Sequence, residues 1–123
     1  MLNCLFVGMG GFLGAVCRYL MGLIPVPDKS GFPWITLAVN VIGAFVIGAV
    51  AAAAAKNGWG NSHLVLFLKT GVCGGFTTFS TFALESSSLI EKGQTGTAGA
   101  YMICSLALCM LAVWAGQRAA GMI

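Results

Sequence analysis

Charged side chains are the scarcest class in this chain: they make up 7% of its 123 residues, whereas 59% of the residues are hydrophobic. Soluble domains carry about a quarter charged residues, so this deficit excludes an ordinary soluble domain. The few basic residues are dispersed and form no basic stripe, which excludes nucleic acid as a partner. The sequence therefore predicts a protein embedded in a lipid bilayer.

Metal-binding and catalytic side chains are also few. The five cysteines form no CxxC pair, and the single histidine, His63, has no set of ligands beside it. This spacing fits neither a cysteine–histidine metal centre nor a disulfide framework. One histidine and two glutamates supply no nucleophile–base pair, so an enzyme is not expected.

Long apolar segments fill most of the chain. A bilayer-spanning helix needs about 20 apolar residues, and four such segments are predicted, at residues 2–24, 34–55, 62–91 and 95–116. The N-terminus has no basic region before its apolar stretch, so the first segment is predicted to be a retained helix rather than a signal peptide. Residues 1–123 are thus expected to form one transmembrane domain of four helices.

The basic residues are divided equally between the two predicted membrane faces. Three of them fall near the face that holds both termini, and three near the opposite face, so the positive-inside rule sets no preference. Such a chain can insert both ways, which allows an antiparallel homodimer. A single fixed orientation remains equally open on these counts.

The third segment carries an unusual run, Gly-Gly-Phe-Thr-Thr-Phe-Ser-Thr-Phe, at residues 74–82. Hydroxyls and glycines are costly in hydrocarbon unless they face protein, water or a solute. Two adjacent glycines weaken a helix by about 1 kcal/mol each, so an unwound turn could offer carbonyl oxygens to an ion. Close packing of a continuous helix is the alternative interpretation.

Isolated polar residues lie in the other segments. Arg18 follows the glycine-rich stretch of the first segment and either snorkels to the interface or attracts anions. Asn40 either joins helices by hydrogen bonds or offers its amide donors to an anion. Tyr101 and Ser105, four residues apart, share one helix face and form either an interfacial anchor or a hydrogen-bonding track. Glu85 is either functional, paired with Lys92 or simply exposed at the membrane interface.

Together these stretches resemble the Fluc (CrcB) family of fluoride channels. The resemblance rests on residues 74–82, supported by Gly-Ala-Val-Cys-Arg-Tyr at 14–19 and Thr-Leu-Ala-Val-Asn-Val-Ile-Gly at 36–43. It implies an all-α membrane protein of four transmembrane helices, the third broken in mid-membrane. It also implies an antiparallel, dual-topology homodimer with two pores that exports fluoride passively across the inner (plasma) membrane and reduces its toxicity.

The resemblance further implies roles for individual residues. Backbone carbonyls of Gly74 and Thr77 from both subunits would hold a structural sodium ion. Arg18 and Glu85 match polar positions near the pore, with no role assigned. The expected lining of the fluoride pore is Asn40, Phe79, Ser80, Thr81, Phe82, Tyr101 and Ser105.

Two other functions are compatible with a small four-helix membrane protein. A small multidrug transporter has the same size and dual topology, but it uses a carboxylate in its first helix, and the first segment here has none. In a non-transporting assembly subunit, the run at residues 74–82 would serve packing alone.

Overall fold

The fold is built from the four apolar segments. The structure is a computed structural model, and it describes residues 1–121. Its long helices are α1 (Leu2–Gly22), α2 (Trp34–Asn57) and α6 (Thr95–Gly121), and a composite helical segment covers His63–Glu91. All four are long and apolar enough to cross a membrane, which confirms the prediction of an all-helical protein with four such helices.

Local sequence accounts for the ends of the first two helices. α1 ends at Gly22, three residues before Pro25, whose ring disfavours helical backbone in the residue that precedes it. α2 ends against Gly58, which adopts a left-handed conformation with φ of 67° and caps the helix through its amide. Both observed ends lie within two residues of the predicted ones.

The third segment consists of several parts. It begins with one turn, α3 (His63–Val65), continues as a π-helix over Leu66–Cys73, here called the π segment, and returns to α-helix at α4 (Gly74–Phe76). Thr77 and Thr78 are extended, with ψ of 157° and 117°, and α5 (Phe79–Glu91) follows. The glycine pair at 74–75 is itself helical, so the extended residues lie just after it.

Glycines allow close packing in two pairs of helical segments. In the first pair α1 packs against the π segment and α4. A Cβ atom on Gly75 would lie 2.5 Å from the carbonyl oxygen of Gly11 and 3.2 Å from the amide of Ala15. In the second pair α2 packs against α6, and a Cβ atom on Gly48 or Gly116 would overlap the backbone of the facing helix. These contacts are those expected where small residues let helix backbones approach closely.

The buried core is small and lies where α2, α5 and α6 meet. Its members are apolar or aromatic: Leu37, Phe82, Leu89, Ala98 and Tyr101. Most other large apolar side chains point outward, as Phe12 and Ile103 do at 68% and 70% exposure. An outward apolar surface of this kind suits contact with lipid or with another membrane-embedded chain.

Candidate functional site

A cleft of about 300 Å³ lies beside the extended residues. It is bounded by α2, by the extended residues, by the start of α5 and by the middle of α6. Its lining is mainly apolar with a few polar groups: Asn40, Ala44, Ile47, Thr77, Thr78, Phe79, Phe82, Ser105, Leu106, Cys109 and Val113. Apolar walls with a few placed polar groups are typical of ligand sites.

Asn40 fixes the extended backbone through both ends of its amide. Its Nδ2 donates to the carbonyl oxygen of Thr78 at 3.1 Å, and its Oδ1 accepts from the Thr78 amide at 2.8 Å. The bond to the Thr78 amide replaces the helical bond that this amide gives up when the backbone becomes extended. Asn40 therefore joins α2 to the third segment, and one N–H of its amide is left over for another acceptor.

The hydroxyls of the extended residues are largely engaged locally. The Thr78 hydroxyl accepts from the Thr81 amide at 3.2 Å and so caps the N-terminus of α5. The Thr77 hydroxyl donates to the carbonyl oxygen of Cys73 at 2.9 Å, and its methyl group occupies the place that a side chain at Gly43 would need. Both threonines therefore stabilise the change of direction between α4 and α5.

The interruption also changes the partners of backbone carbonyls. In a continuous helix the Thr78 amide would donate to the Gly74 carbonyl, but here it donates to Asn40. The next carbonyl, that of Gly75, accepts from Nε of Arg18 at 3.1 Å. The Gly74 carbonyl thus loses its helical donor at an exposed position, and carbonyl oxygen is a ligand suited to hard cations.

Three aromatic rings form a row along the cleft. The ring centroids of Phe79 and Phe82 are 5.5 Å apart, and those of Phe82 and Tyr101 are 5.1 Å apart, with the planes tilted in both pairs. Phe82 and Tyr101 are buried, whereas Phe79 is 76% exposed. One end of the row is therefore fixed in the core, and the other faces outward.

Glu85 accepts a hydrogen bond on each carboxylate oxygen. The Thr36 hydroxyl on α2 donates to Oε2 at 3.0 Å, and the Tyr101 hydroxyl on α6 donates to Oε1 at 2.9 Å. The partners of this carboxylate are thus two hydroxyls, rather than the Lys92 ammonium considered from the sequence. The arrangement holds one negative charge where three helices meet.

Ser105 is buried on the wall of the cleft, and its hydroxyl has no hydrogen-bond partner within the described part of the chain. A buried hydroxyl without a partner costs about 1–3 kcal/mol. Such a group calls for a specific explanation in a folded protein. Since Ser105 belongs to the lining of the cleft, a ligand bound there is one candidate for the missing partner.

The residues that the sequence predicted to form the site do not all lie at the same cavity. Asn40, Phe79, Phe82 and Ser105 line the cleft, and Tyr101 lies directly behind Phe82. Ser80 is exposed on the first turn of α5 and lines none of the cavities described for residues 1–121. Two predicted residues, Thr81 and Arg18, share a second cavity of about 230 Å³.

Sequence reasoning did not assign two residues that contribute to the site. Thr36 holds Glu85, and the backbone of Thr78 is the partner of Asn40. A signal for Thr36 was present, because it lies one helical turn before Asn40 and therefore on the same face of α2. The sequence offered no comparable signal for the pairing of Asn40 with Thr78.

Comparison with known proteins identifies relatives of nearly the same length. The family model of CrcB-like protein, Camphor Resistance (CrcB), matches residues 5–117. A protein of Rhizobium meliloti is 48% identical over 93% of this chain and 92% of its own length. A protein of Agrobacterium fabrum is 44% identical over 94% of each chain, and one of Geobacter sulfurreducens is 43% identical over 98% of each.

All three relatives carry the name fluoride-specific ion channel FluC. A channel fits the expectation that the chain is not an enzyme. Together with the four apolar helices, these relatives indicate a multi-pass membrane protein. Because the matches extend over nearly the full length of this chain and of its relatives, the chain belongs to the CrcB-like family.

Proposed function

We propose that this protein is a fluoride-selective channel that lets fluoride leave the cell passively across the inner (plasma) membrane, and so reduces fluoride toxicity. The observation that carries the proposal is the near-full-length identity to proteins named fluoride-specific ion channels. The cleft beside the extended residues is the proposed path of the ion.

The chemistry of the cleft is suited to a small, strongly hydrated anion. Such an ion needs donors that replace its water, yet each site must be weak enough to release it. The cleft offers the remaining amide hydrogen of Asn40, the Ser105 hydroxyl, and the ring edges of Phe79 and Phe82, which carry positive quadrupole density. No lysine or arginine belongs to the described lining, so no fixed cation would trap the ion.

A carboxylate without hydrogen-bond donors would repel an anion in such a pathway, so the position of the Glu85 side chain has to be fixed by neighbouring donors. The hydroxyls of Thr36 and Tyr101 engage its two oxygens at 3.0 Å and 2.9 Å. In the proposed function these donors hold the charge at the side of the path. Thr81 and Arg18 would act next to it, where the second cavity opens. Ser80, exposed on the first turn of α5, is proposed as a further polar contact of the ion.

A second chain would complete the pathway. Phe79 is 76% exposed, so one chain leaves the outer end of the aromatic row uncovered. The balanced basic residues permit insertion in both orientations. We therefore propose an antiparallel homodimer, in which the twofold axis produces each path twice and gives two pores.

The interruption at 77–78 is proposed to lie in the middle of the membrane, with a structural sodium ion at the dimer axis. Carbonyls of Gly74 and Thr77 from both chains would bind this ion, which would supply positive charge and link the chains. Support comes from the Gly74 carbonyl, whose helical donor is diverted to Asn40. Thr77→Ala should leave a site made of carbonyls intact, so a marked loss of sodium-dependent dimer stability would implicate the hydroxyl instead.

Reconstitution in liposomes tests the function. Vesicles loaded with potassium fluoride or potassium chloride are made permeable to potassium, and anion efflux is followed with ion-selective electrodes. Fluoride efflux without chloride efflux supports the channel, whereas a folded, dimeric protein that releases no fluoride refutes it. Uptake of a cationic dye driven by a proton gradient would instead favour the small multidrug transporter, although α1 contains no acidic residue.

A further inference from the structure

We propose that Phe32, in the loop between α1 and α2, is a positioning residue for the anion path: it holds the Tyr101 ring so that its hydroxyl reaches Glu85. Phe32 lines none of the cavities described for residues 1–121. The inference rests on the proposed fluoride pathway, and it extends the functional unit from the helices to this loop.

The contact between Phe32 and Tyr101 is edge to face. Their ring centroids are 5.5 Å apart with an angle of 77° between the planes, an arrangement that aromatic pairs prefer. On its other side Tyr101 meets Phe82 at 5.1 Å, so the ring lies between two aromatic neighbours. Tyr101 is fully buried, and a tilt of its ring would carry the hydroxyl away from Glu85.

Phe32 is itself held by the rest of the loop. Its ring packs on that of Trp34 with centroids 4.3 Å apart, and the Trp34 indole donates a hydrogen bond to the carboxylate of Asp28. Ser30 donates to the same carboxylate through its amide, at 2.9 Å, and through its hydroxyl, at 3.0 Å. Three contacts in series, Asp28 to Trp34, Trp34 to Phe32 and Phe32 to Tyr101, thus connect an exposed carboxylate to a buried tyrosine.

The anchor at Asp28 is stable at neutral pH. The hydrogen bond from Trp34, followed by those from Ser30, lowers the pKa of the Asp28 carboxyl below its ordinary value. The group therefore stays ionised and keeps its three donors whenever the pH is near 7. The loop acts as a constant support for Phe32 rather than as a switch in the physiological range.

Loss of the Phe32 ring should affect the path through Glu85. Without it Tyr101 loses an edge-to-face neighbour, its hydroxyl is less well aligned, and one carboxylate oxygen loses its donor part of the time. The freed negative charge then opposes passage of an anion. From the usual strength of aromatic pairs we expect fluoride efflux to fall roughly twofold to tenfold in Phe32→Ala.

A double-mutant cycle separates positioning from general structural support. Fluoride efflux is measured for the wild type, Phe32→Ala, Tyr101→Phe and the combination, all as dimers of equal yield. If Phe32 acts through the Tyr101 hydroxyl, Phe32→Ala has little further effect once that hydroxyl is gone. Equal fold losses in both backgrounds would overturn the proposal, as would wild-type efflux in Phe32→Ala.

Further variants keep the test decisive. Phe32→Tyr retains the aromatic ring and should keep fluoride efflux near that of the wild type. Val26→Ala changes an exposed position in the same loop and should also leave efflux unchanged. Trp34→Phe keeps an aromatic ring beside Phe32 but removes the donor to Asp28, so it should cause little further loss of efflux once Asp28→Ala is present. If Phe32→Ala does not assemble, Phe32→Leu carries the same cycle and the same criteria.

The outcomes also distinguish this inference from the proposed function. A wild-type protein without fluoride efflux refutes the channel itself. A wild type that conducts fluoride, together with fully additive Phe32 and Tyr101 effects, refutes only the role of Phe32.

Discussion

Asn40→Ala offers the most direct test of how the extended backbone is held. The substitution removes the two hydrogen bonds, of 3.1 Å and 2.8 Å, that the Asn40 amide forms with the backbone of Thr78. A hydrogen bond contributes about 1 kcal/mol net in soluble proteins and about 0.6 kcal/mol on average between membrane helices. We therefore expect a loss of about 1–2 kcal/mol in the free energy of unfolding, together with a marked loss of fluoride efflux.

The measurement needs a matched control on the same helix. Asn57 is also an asparagine of α2, but its amide donates to Ala53 one turn earlier, at an exposed position. Asn57→Ala should therefore leave both stability and efflux near wild type. Thermal unfolding in detergent, followed by tryptophan fluorescence, gives the stability, and liposome efflux gives the function.

Asn40→Asp separates the structural contribution from the electrostatic one. The carboxylate keeps an acceptor for the Thr78 amide but places a negative charge on the wall of the cleft. A carboxylate at position 40 and a fluoride ion about 4 Å away repel by on the order of 4 kcal/mol at an effective dielectric constant near 20. This repulsion corresponds to at most about a thousandfold lower efflux.

The result for Asn40→Ala can refute the reasoning. If this variant has the same thermal midpoint and the same fluoride efflux as the wild type, the Asn40 amide does not hold the extended backbone.

Three further predictions address the aromatic row, the glycine packing and the unpartnered hydroxyl. Phe79→Ile or Phe82→Ile should impair fluoride efflux while the dimer still forms by size-exclusion chromatography, because isoleucine has no ring edge; normal efflux in both would exclude that role. Gly75→Ala should lower the thermal midpoint, since its Cβ would lie 2.5 Å from a carbonyl oxygen of α1, at a typical cost of about 1–3 kcal/mol. Gly8→Ala is the control, because nothing lies within 4 Å of its Cβ. Ser105→Ala should reduce efflux without loss of thermal stability, since its hydroxyl has no partner to lose among residues 1–121; a clear drop in stability would reveal a structural bond.

The sequence predicts the ends of the first two helices well because their limits depend on local chemistry, whereas α6 continues five residues past its predicted end, to Gly121. Apolar runs, Pro25 and the left-handed Gly58 set the ends of α1 and α2, and each acts within a few residues of the end concerned. The spacing of Gly10 and Gly14 also predicts a face of α1 that another helix can approach closely, but it does not identify the third segment as that helix.

The site is less predictable because its decisive contacts join distant segments. The glycine pair at 74–75 predicts a weak helix, but the backbone leaves the helix at Thr77 and Thr78, where the Asn40 amide competes for the Thr78 backbone from 38 residues away. Glu85 likewise finds one donor on α2 and another on α6, separated from it by 49 and 16 residues. No periodicity within one segment contains such pairings, and none indicates the π segment.

The bonds between Asn40 and Thr78 have a consequence for how the protein is made. The helical part before the interruption, residues 63–76, spans at most about 21 Å, which is less than the hydrocarbon thickness of about 30 Å. In the proposed orientation the third segment therefore enters the bilayer with exposed peptide groups that lipid cannot satisfy. Asn40 leaves the ribosome first, since it precedes Thr78 in the chain, and so the partner for those groups is already in the membrane when they arrive. Because α2 is made before the third segment, its Asn40 side chain can form hydrogen bonds with the Thr78 backbone as that segment enters the membrane.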